Sequence, residues 1–492
     1  MRRGSFAGSS RLMDLKREKF LEYGGTSWGL SRETLISPLL TSDSRRCRPG
    51  ALFVAKQGHT AHGEAYVQDA IRRGAAAVIS EKALPGVATL VVPSVEYFEE
   101  SVLPRLYDES LSKMKLIGVT GTKGKTTTAF FFYEAALKEG KAAAYIGTVG
   151  VYTKEGFLKR TLLTTPDIYE LYALLEQLAD LGHSLCVLEV SSHALDQGRI
   201  RGLRFQGAGF TNLSWDHLDY HHSMETYFDT KRKLFTSYNE GTSVINCDDP
   251  WGRRLRSSLE SRQVLCFGQK NGDVRFRKKG EGGDTLLTLS DGGAVRLGMP
   301  GEFNAYNAIL AALLLKAAGS RSKEWSMGFN GVPGRLERLD GHGVDIYIDY
   351  AHSPDSLDKV LSLLAGEKRG RLITVFGCTG DRDRGKRPEM AKIASRFSDF
   401  VIITSDDPHS EDPLQICREV EAGMKSDFPY EVVVDREEAI RTALKKARNG
   451  DMVLIAGKGH ERFQIFDGYE IPFNDREVVE RLLKKRRTCG ED

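Results

Sequence analysis

Residues 118–128 read GVTGTKGKTTT, and they lie between an apolar run, KLIGVTG (115–121), and a helix-forming run, TTTAFFFYEAALKEG (126–140). A short β-rich run closed by glycine predicts a buried strand, and the run behind it predicts a helix ended by Gly140. A Gly-rich turn carrying a lysine between strand and helix is the context of a phosphate-binding loop. Gly121 and Gly124, with Thr122 and Lys123 between them, let backbone N–H groups face phosphate oxygens, and the helix N-terminus adds partial positive charge. Lys125 would reach the β- and γ-phosphates, and the hydroxyl of Thr126 or Thr127 can ligate Mg2+. There is one departure: the first glycine of the usual pattern falls on Val119. The chain carries no guanine-reading NKxD and no kinase catalytic-loop set, so the loop specifies a nucleotide and not a reaction.

Outward from the loop, a second helix is predicted with Thr165 as N-cap, Pro166 at its first position and Gly182 at its end. The apolar run SLCVLEV (184–190) follows, and such runs suit a parallel sheet covered on both faces. From 264 to 298, short strands broken by KNGD, GEGGD and SDGG predict a β insertion at the edge of the central domain. Beyond GRLER (334–338), strands at GVDIYID, RLITVFG, FVIITSD, YEVVVD and MVLIAG alternate with helical stretches at 388–396 and 436–448. That alternation predicts a second doubly wound sheet. Upstream, ALFVA (51–55), an amphipathic stretch at 66–73 and AAAVIS (75–80) predict a small α/β unit. The expected class is α/β in three domains. A small N-terminal α/β domain spans 1–112, with 1–13 a frayed tail. A central P-loop domain, with a doubly wound, mostly parallel sheet and its β insertion, spans 113–336. A Rossmann-like C-terminal domain spans 337–492.

Bulk properties exclude several classes. A net charge of +3, from 70 basic and 67 acidic residues, gives no electrostatic reason for nucleic acid or an anionic membrane. The longest apolar run, 308–315, is far short of the ~20 residues of a membrane helix. Residues 1–12 lack the apolar centre of a signal peptide, and Met13 is an alternative start. Seven cysteines without a CxxC pair predict a reduced cytosolic protein in which each is a small packing residue. A monomer is the default expectation.

Further motifs carry more specific information. They are EVSSHAL (189–195), TNLSWDHLDYH (211–221), YFDTKRKLF (227–235), EFNAYN (302–307), GRLE (334–337) and DYAHSPDSL (349–357). GDRDRGKRPEM (380–390) and AGKGHE (456–461) follow. In order and spacing they resemble the Mur ligase family, from DSR (43–45) to NDRE (474–477). The last two are similar to the branch that adds the third residue of the peptidoglycan stem peptide. The resemblance implies a bacterial cytoplasmic enzyme using ATP and Mg2+. It would join a free diamino acid to UDP-MurNAc-dipeptide (UDP-N-acetylmuramoyl-L-alanyl-D-glutamate) through an acyl phosphate, in cell-wall synthesis. Such chemistry gathers negative charge that metals and cations must neutralise.

The resemblance also assigns residues. Lys125, Glu189, His217 and Lys231 would be the catalytic set, with Thr126, Glu189, His217 and Lys231 around metal. By position alone Glu189 could be a capping or salt-bridged residue, and His217 a structural hydrogen-bonder. Lys231, in a run of alternating charges, could be a solvated surface lysine; it matches the lysine that family members carbamylate to N6-carboxylysine. Asn304 and Asn307 would read adenine, and Arg335 and Asp349 would meet the nucleotide from a domain junction; each could equally be a cap or turn residue. The UDP end would meet Asp43, Ser44, His59, Thr60 and Ala61. The peptide end would meet Thr164, Thr165, Ser191, Gln197 and Arg199. Arg387 would hold the amino acid's α-carboxylate, and Gly457 and Glu461 match positions that contact its distal end. Asp406, Asp407, Pro408 and His409 stand where diaminopimelate-adding members usually carry DNPR. His409 is a shorter cation, mostly neutral at pH 7, and Asp407 adds negative charge, so lysine or ornithine is slightly favoured. meso-Diaminopimelate or meso-lanthionine is the alternative. Folylpolyglutamate synthase, a P-loop ATPase without ligase activity and a non-catalytic paralogue are the rivals.

Overall fold

The computed structural model describes residues 26–28, 39–57, 63–259, 263–280, 285–329 and 331–489. The expected substrate residues His59, Thr60 and Ala61, and the 1–13 tail, lie outside the described residues. By compactness the chain divides into two units, Met1–Arg275 with Leu310–Arg321, and Phe276–Ile309 with Ser322–Asp492.

The first unit holds two sheets. The smaller runs in the order Thr26–Trp28, Thr89–Val91, Ala77–Ser80, Leu52–Val54, Leu40–Thr41, parallel except for the antiparallel first pair. In the larger, six parallel strands run Val264–Gly268, Asn239–Asn246, Phe205–Phe210, Lys115–Thr120, Leu185–Glu189, Ala143–Gly147. Antiparallel Gly150–Thr153 and Gly156–Lys159 extend that edge. Lys115–Thr120 is central, with later strands added on both sides, so its carboxyl end is a topological switch point where ligands bind in such sheets. Helix Lys125–Lys138 follows it and ends before Gly140, whose φ of 71° is the left-handed stop expected from sequence.

Three expectations change here. The second helix is Ile168–Asp180, and its N-cap is Asp167, which accepts from Tyr169 N. Thr165 is not the cap: its hydroxyl donates to Glu189 O at 2.8 Å and accepts from Ser191 N at 3.0 Å. The first strand of the expected insertion, Val264–Gly268, is instead a parallel member of the large sheet. Cys247 and Cys266 are joined in a disulfide, with Cα atoms 5.7 Å apart. Their separation of 19 residues spans one crossover that returns beside its own start, a proximity that scattered positions in sequence conceal. Cys47, Cys186, Cys378 and Cys417 are buried free thiols.

In the second unit, Thr285–Leu289 pairs antiparallel with Val274–Lys279 and Ala294–Leu297, and Glu324–Met327 joins the latter in parallel. By compactness Phe276–Ile309 falls in this second unit, while Val274 and Arg275 pair in parallel with Phe267 and Gly268, the end of the large sheet's last parallel strand. The main sheet runs Glu337–Asp340, Asp345–Asp349, Met452–Ala456, Leu372–Phe376, Phe400–Ile403, Tyr430–Val432, with only the first pair antiparallel. Helices Lys386–Phe397 and Arg436–Lys446 lie where the sequence predicts them. Among the described residues no helix is long and apolar enough to cross a membrane.

Candidate active site

The phosphate loop closes on itself. Gly121 and Gly124 hold φ of 149° and 84°, and a Cβ at Gly121 would run into the Thr211 hydroxyl and Asn212 backbone. Lys125 Nζ donates to the carbonyls of Gly121 (2.9 Å) and Thr122 (2.8 Å). The Thr122 hydroxyl lies 3.3 Å from Tyr227 OH, and Lys123 N donates to Asn212 Oδ1 at 3.1 Å.

Glu189 ends its strand with a fully buried carboxylate. Oε2 accepts from the hydroxyls of Thr126 (2.9 Å) and Thr148 (3.1 Å); Oε1 accepts from Thr148 N (3.0 Å) and Tyr145 OH. Among the described residues no lysine or arginine forms an ion pair with it. A buried anion held by neutral donors alone calls for a cation. Glu189 and Thr126 together make a hard-oxygen pair at a helix N-terminus, which suits Mg2+. The Thr148 hydroxyl also lies 3.0 Å from that of Thr164.

Lys231 is not a surface residue. It is 1% exposed, its Nζ donates to Gly121 O at 2.8 Å, and it lies 4.5 Å over the Tyr227 ring. Burial drives its pKa well below the ordinary lysine value, and Lys125 adds to that shift. His217, with φ of 52°, caps a short helix; its ring stands 5.1 Å from His193 and 6.3 Å from Tyr227. The loop lysine, Thr126, Glu189 and Lys231 thus converge on one loop, with His217 reached through Tyr227.

Four of the expected peptide-side residues also meet. Arg199 donates to Gln197 Oε1 at 2.6 Å and to Thr165 O at 3.0 Å, and Ser191 caps the following helix through Ala194 N. Asp43 is tied to Arg45 and Ser44 to Asp69.

In the second unit Asn304 Nδ2 donates to Pro300 O at 2.7 Å, and Asn307 Nδ2 to Asn304 Oδ1 at 3.4 Å. Asp349 accepts from the backbone of Leu336 and Ala351, both at 2.8 Å, fastening GRLE to DYAH; Arg335 lies 4.7 Å over Tyr350. Burial raises the Asp349 pKa, and Arg335 opposes that rise. Arg387 is sealed inside, bound bidentately by Glu411 (2.8 and 2.9 Å) and by Glu419 (2.6 Å). Its hydrogen bond to Arg387 lowers Glu411 to about 2. Both Nη atoms of Arg387 are thus taken by carboxylates, while its buried Nε has no hydrogen-bond partner among the described residues; Arg382 and Arg384 of that loop are exposed.

Asp406, Asp407 and Glu461 converge, and the sequence reading overlooked what sits among them. Lys458 Nζ bonds Asp407 Oδ1 (2.6 Å) and Glu461 Oε2 (2.8 Å) and lies 3.9 Å from Asp406 Oδ1. Burial works against that charge, but Asp406, Glu461 and Asp407 outweigh it and raise the Lys458 pKa. Asp407, which also accepts from Ile465 N at 2.9 Å, is therefore already ion-paired, with one ammonium shared among three carboxylates. This corrects the argument from its charge toward lysine. Gly457, at φ 117°, leaves room for Asp406 Oδ2, and His409 N donates to Ile465 O at 3.1 Å. Tyr145 and Thr148 were also overlooked, although AAAYIG (142–147) is an apolar run closed by glycine, the same signal that marks the loop's own strand.

Three family models match: "Mur ligase family, catalytic domain" over residues 39–112, "Mur ligase middle domain" over 119–315 and "Mur ligase, glutamate ligase domain" over 334–459. The chain is 42% identical to the UDP-N-acetylmuramoyl-L-alanyl-D-glutamate--2,6-diaminopimelate ligase of Synechococcus sp. (strain WH7803), covering 93% of this chain and 96% of that one. It is 38% identical to the ligase of the same name from Coxiella burnetii, over 96% and 99%. A solved UDP-N-acetylmuramoyl-L-alanyl-D-glutamate--2,6-diaminopimelate ligase superposes with a TM-score of 0.63 at 31% identity, covering 91% of this chain and 95% of that one. A Mycobacterium tuberculosis folylpolyglutamate synthase, at 18% identity and a TM-score of 0.55 over 80% and 95%, shares the fold alone. The chain belongs to the Mur ligase family, the ATP-dependent, ADP-forming ligases of peptidoglycan synthesis.

Proposed function

We propose that this chain joins 2,6-diaminopimelate to the D-glutamate of UDP-N-acetylmuramoyl-L-alanyl-D-glutamate. The substrate carboxylate attacks the γ-phosphate of ATP, giving an acyl phosphate and ADP, and the incoming amine then displaces phosphate. The observation that carries the reading is Glu189: a buried carboxylate beside the phosphate loop, held by Thr126, Tyr145 and Thr148 with no cationic partner among the described residues. Glu189 and Thr126 would hold Mg2+, which when bound neutralises charge gathering on the transferring phosphoryl group. Lys125 would move from its loop carbonyls to the phosphates. Lys231, whose pKa burial drives well below the ordinary lysine value, would add CO2 and become a carbamate, and His217 would support a second metal. Thr164, Thr165, Ser191, Gln197 and Arg199 would hold the peptide end, and Asp43, Ser44 and the 58–61 loop the UDP end. Asn304, Asn307, Arg335 and Asp349 would serve the nucleotide.

The choice of amino acid rests on relatives 38–42% identical that are named for 2,6-diaminopimelate. Lysine or ornithine, favoured on sequence, keeps only the shorter cation His409 in its support. The reading includes a cytoplasmic monomer folded as domains 1–112, 113–336 and 337–492. The test is phosphate release from purified protein with ATP, Mg2+, the UDP-dipeptide and, in separate runs, diaminopimelate, lysine, ornithine and lanthionine. Release at least about tenfold faster with diaminopimelate is expected, the ~1.4 kcal/mol of one specific contact. Release with none of the four removes the ligase reading, and preference for lysine removes the amino-acid assignment.

A further inference from the structure

We propose that Tyr145 is a positioning residue for Glu189, fixing the carboxylate that meets the nucleotide-bound cation; this rests on Glu189 as the Mg2+ ligand. The register makes the contact. Tyr145 lies opposite Val187 on the neighbouring parallel strand, so Glu189, two residues on, shares its face and stands diagonally from it. The position opposite Glu189 belongs to Gly147, and a Cβ there would collide with both the Glu189 carboxylate and the Tyr145 hydroxyl. Glycine therefore opens the gap through which the phenol crosses to Oε1.

The ring itself is immobilised. Tyr145 is fully buried, with Phe130 at 5.5 Å and Tyr152 at 6.0 Å, both edge-on. Oε1 is pinned by this phenol and by Thr148 N, which do not rotate away. Oε2 meets only hydroxyls, those of Thr126 and Thr148, which can turn aside for a metal ion. One oxygen is anchored and the other is presented. Partners of this kind orient metal-binding carboxylates, and losing one weakens metal binding by roughly 10–100-fold.

The test is Mn2+ binding followed by electron paramagnetic resonance, with a non-hydrolysable ATP analogue present. Tyr145→Phe should weaken Mn2+ about tenfold and raise the Mg2+ needed for half-maximal phosphate release, with kcat at saturating Mg2+ nearly unchanged. Tyr133→Phe, whose hydroxyl donates to Thr153 O at 2.7 Å away from the carboxylate, should bind Mn2+ as the parent does. Parent-like binding by Tyr145→Phe, or equal weakening by Tyr133→Phe, overturns the positioning role. Glu189→Gln separates the two levels: unchanged Mn2+ affinity there removes the Mg2+-ligand reading itself, while weakened binding keeps that reading and leaves Tyr145 to be judged on its own variant.

Discussion

Lys231 and Lys458 are both sealed from solvent, at 1% and 0% exposure, and their surroundings differ in one respect. Lys231 meets a carbonyl oxygen, an aromatic face and the like charge of Lys125. Lys458 meets three carboxylates. Desolvation penalises both ammonium groups, so the neighbours decide the proton. Lys231 is driven well below the ordinary lysine value and Lys458 is held above it. A buried lysine with no carboxylate in contact, only the more distant charge of Asp216 opposing the shift, gives up its proton more readily to react with an electrophile such as CO2; a buried ammonium inside a carboxylate cage is a structural ion. The same contrast separates the two acidic sites. Glu189 has only neutral donors and is open to an external cation, whereas Asp406, Asp407 and Glu461 already contain one.

The largest expected effect is on activity. Lys231→Ala should reduce amino-acid-dependent phosphate release about 1,000-fold, comparable with losing a group that stabilises developing charge, and a short carboxylic acid should restore part of it. A variant that keeps activity within tenfold would show that Lys231 contributes only packing. Next comes stability, read from urea unfolding. Lys458→Met leaves the buried Asp406 and Asp407 without their counter-ion and should cost about 3–5 kcal/mol. Lys231→Met removes an amine that has a carbonyl but no carboxylate in contact, from an equally buried place, and should change stability by no more than about 1 kcal/mol. Equal losses in the two methionine variants would break the comparison.

How much of this could be read from the residues alone depended on distance along the chain. The phosphate loop was legible because strand, glycines, lysine and helix are contiguous and each has a local cause. The parallel strands of the second unit were legible for the same reason, since a buried strand is a continuous apolar run. Partners were not legible. Nothing in KRP says that Arg387 is ion-paired with Glu411 and Glu419, which lie more than twenty positions away. Nothing in TTPD says that Thr165 turns back to Glu189 and leaves the capping to Asp167. Lys231 looks like a surface lysine among charges because a helix of ten residues shows its period but not which neighbour covers it. Cys247 and Cys266 meet through strand register, which composition does not encode.

The smallest expected effect tests the acidic cage as a reader of the amino acid. Asp407→Asn keeps an oxygen able to accept from Ile465 N and Lys458 Nζ, and Lys458 retains Glu461 and Asp406. Stability should fall by about 1 kcal/mol, the scale of one weakened hydrogen bond. If the Asp407 charge is spent on Lys458, it is not read by the substrate. The ratio of kcat/KM for diaminopimelate over lysine should then move by less than about threefold, ~0.6 kcal/mol. If instead Asp407 binds the terminal ammonium of lysine, neutralising it should cost lysine far more than diaminopimelate, whose distal carboxylate gains from the loss of a nearby negative charge. A rise of tenfold or more in that ratio would mean that the cage shares its charge with the substrate, and that Lys458 moves aside when the amino acid binds.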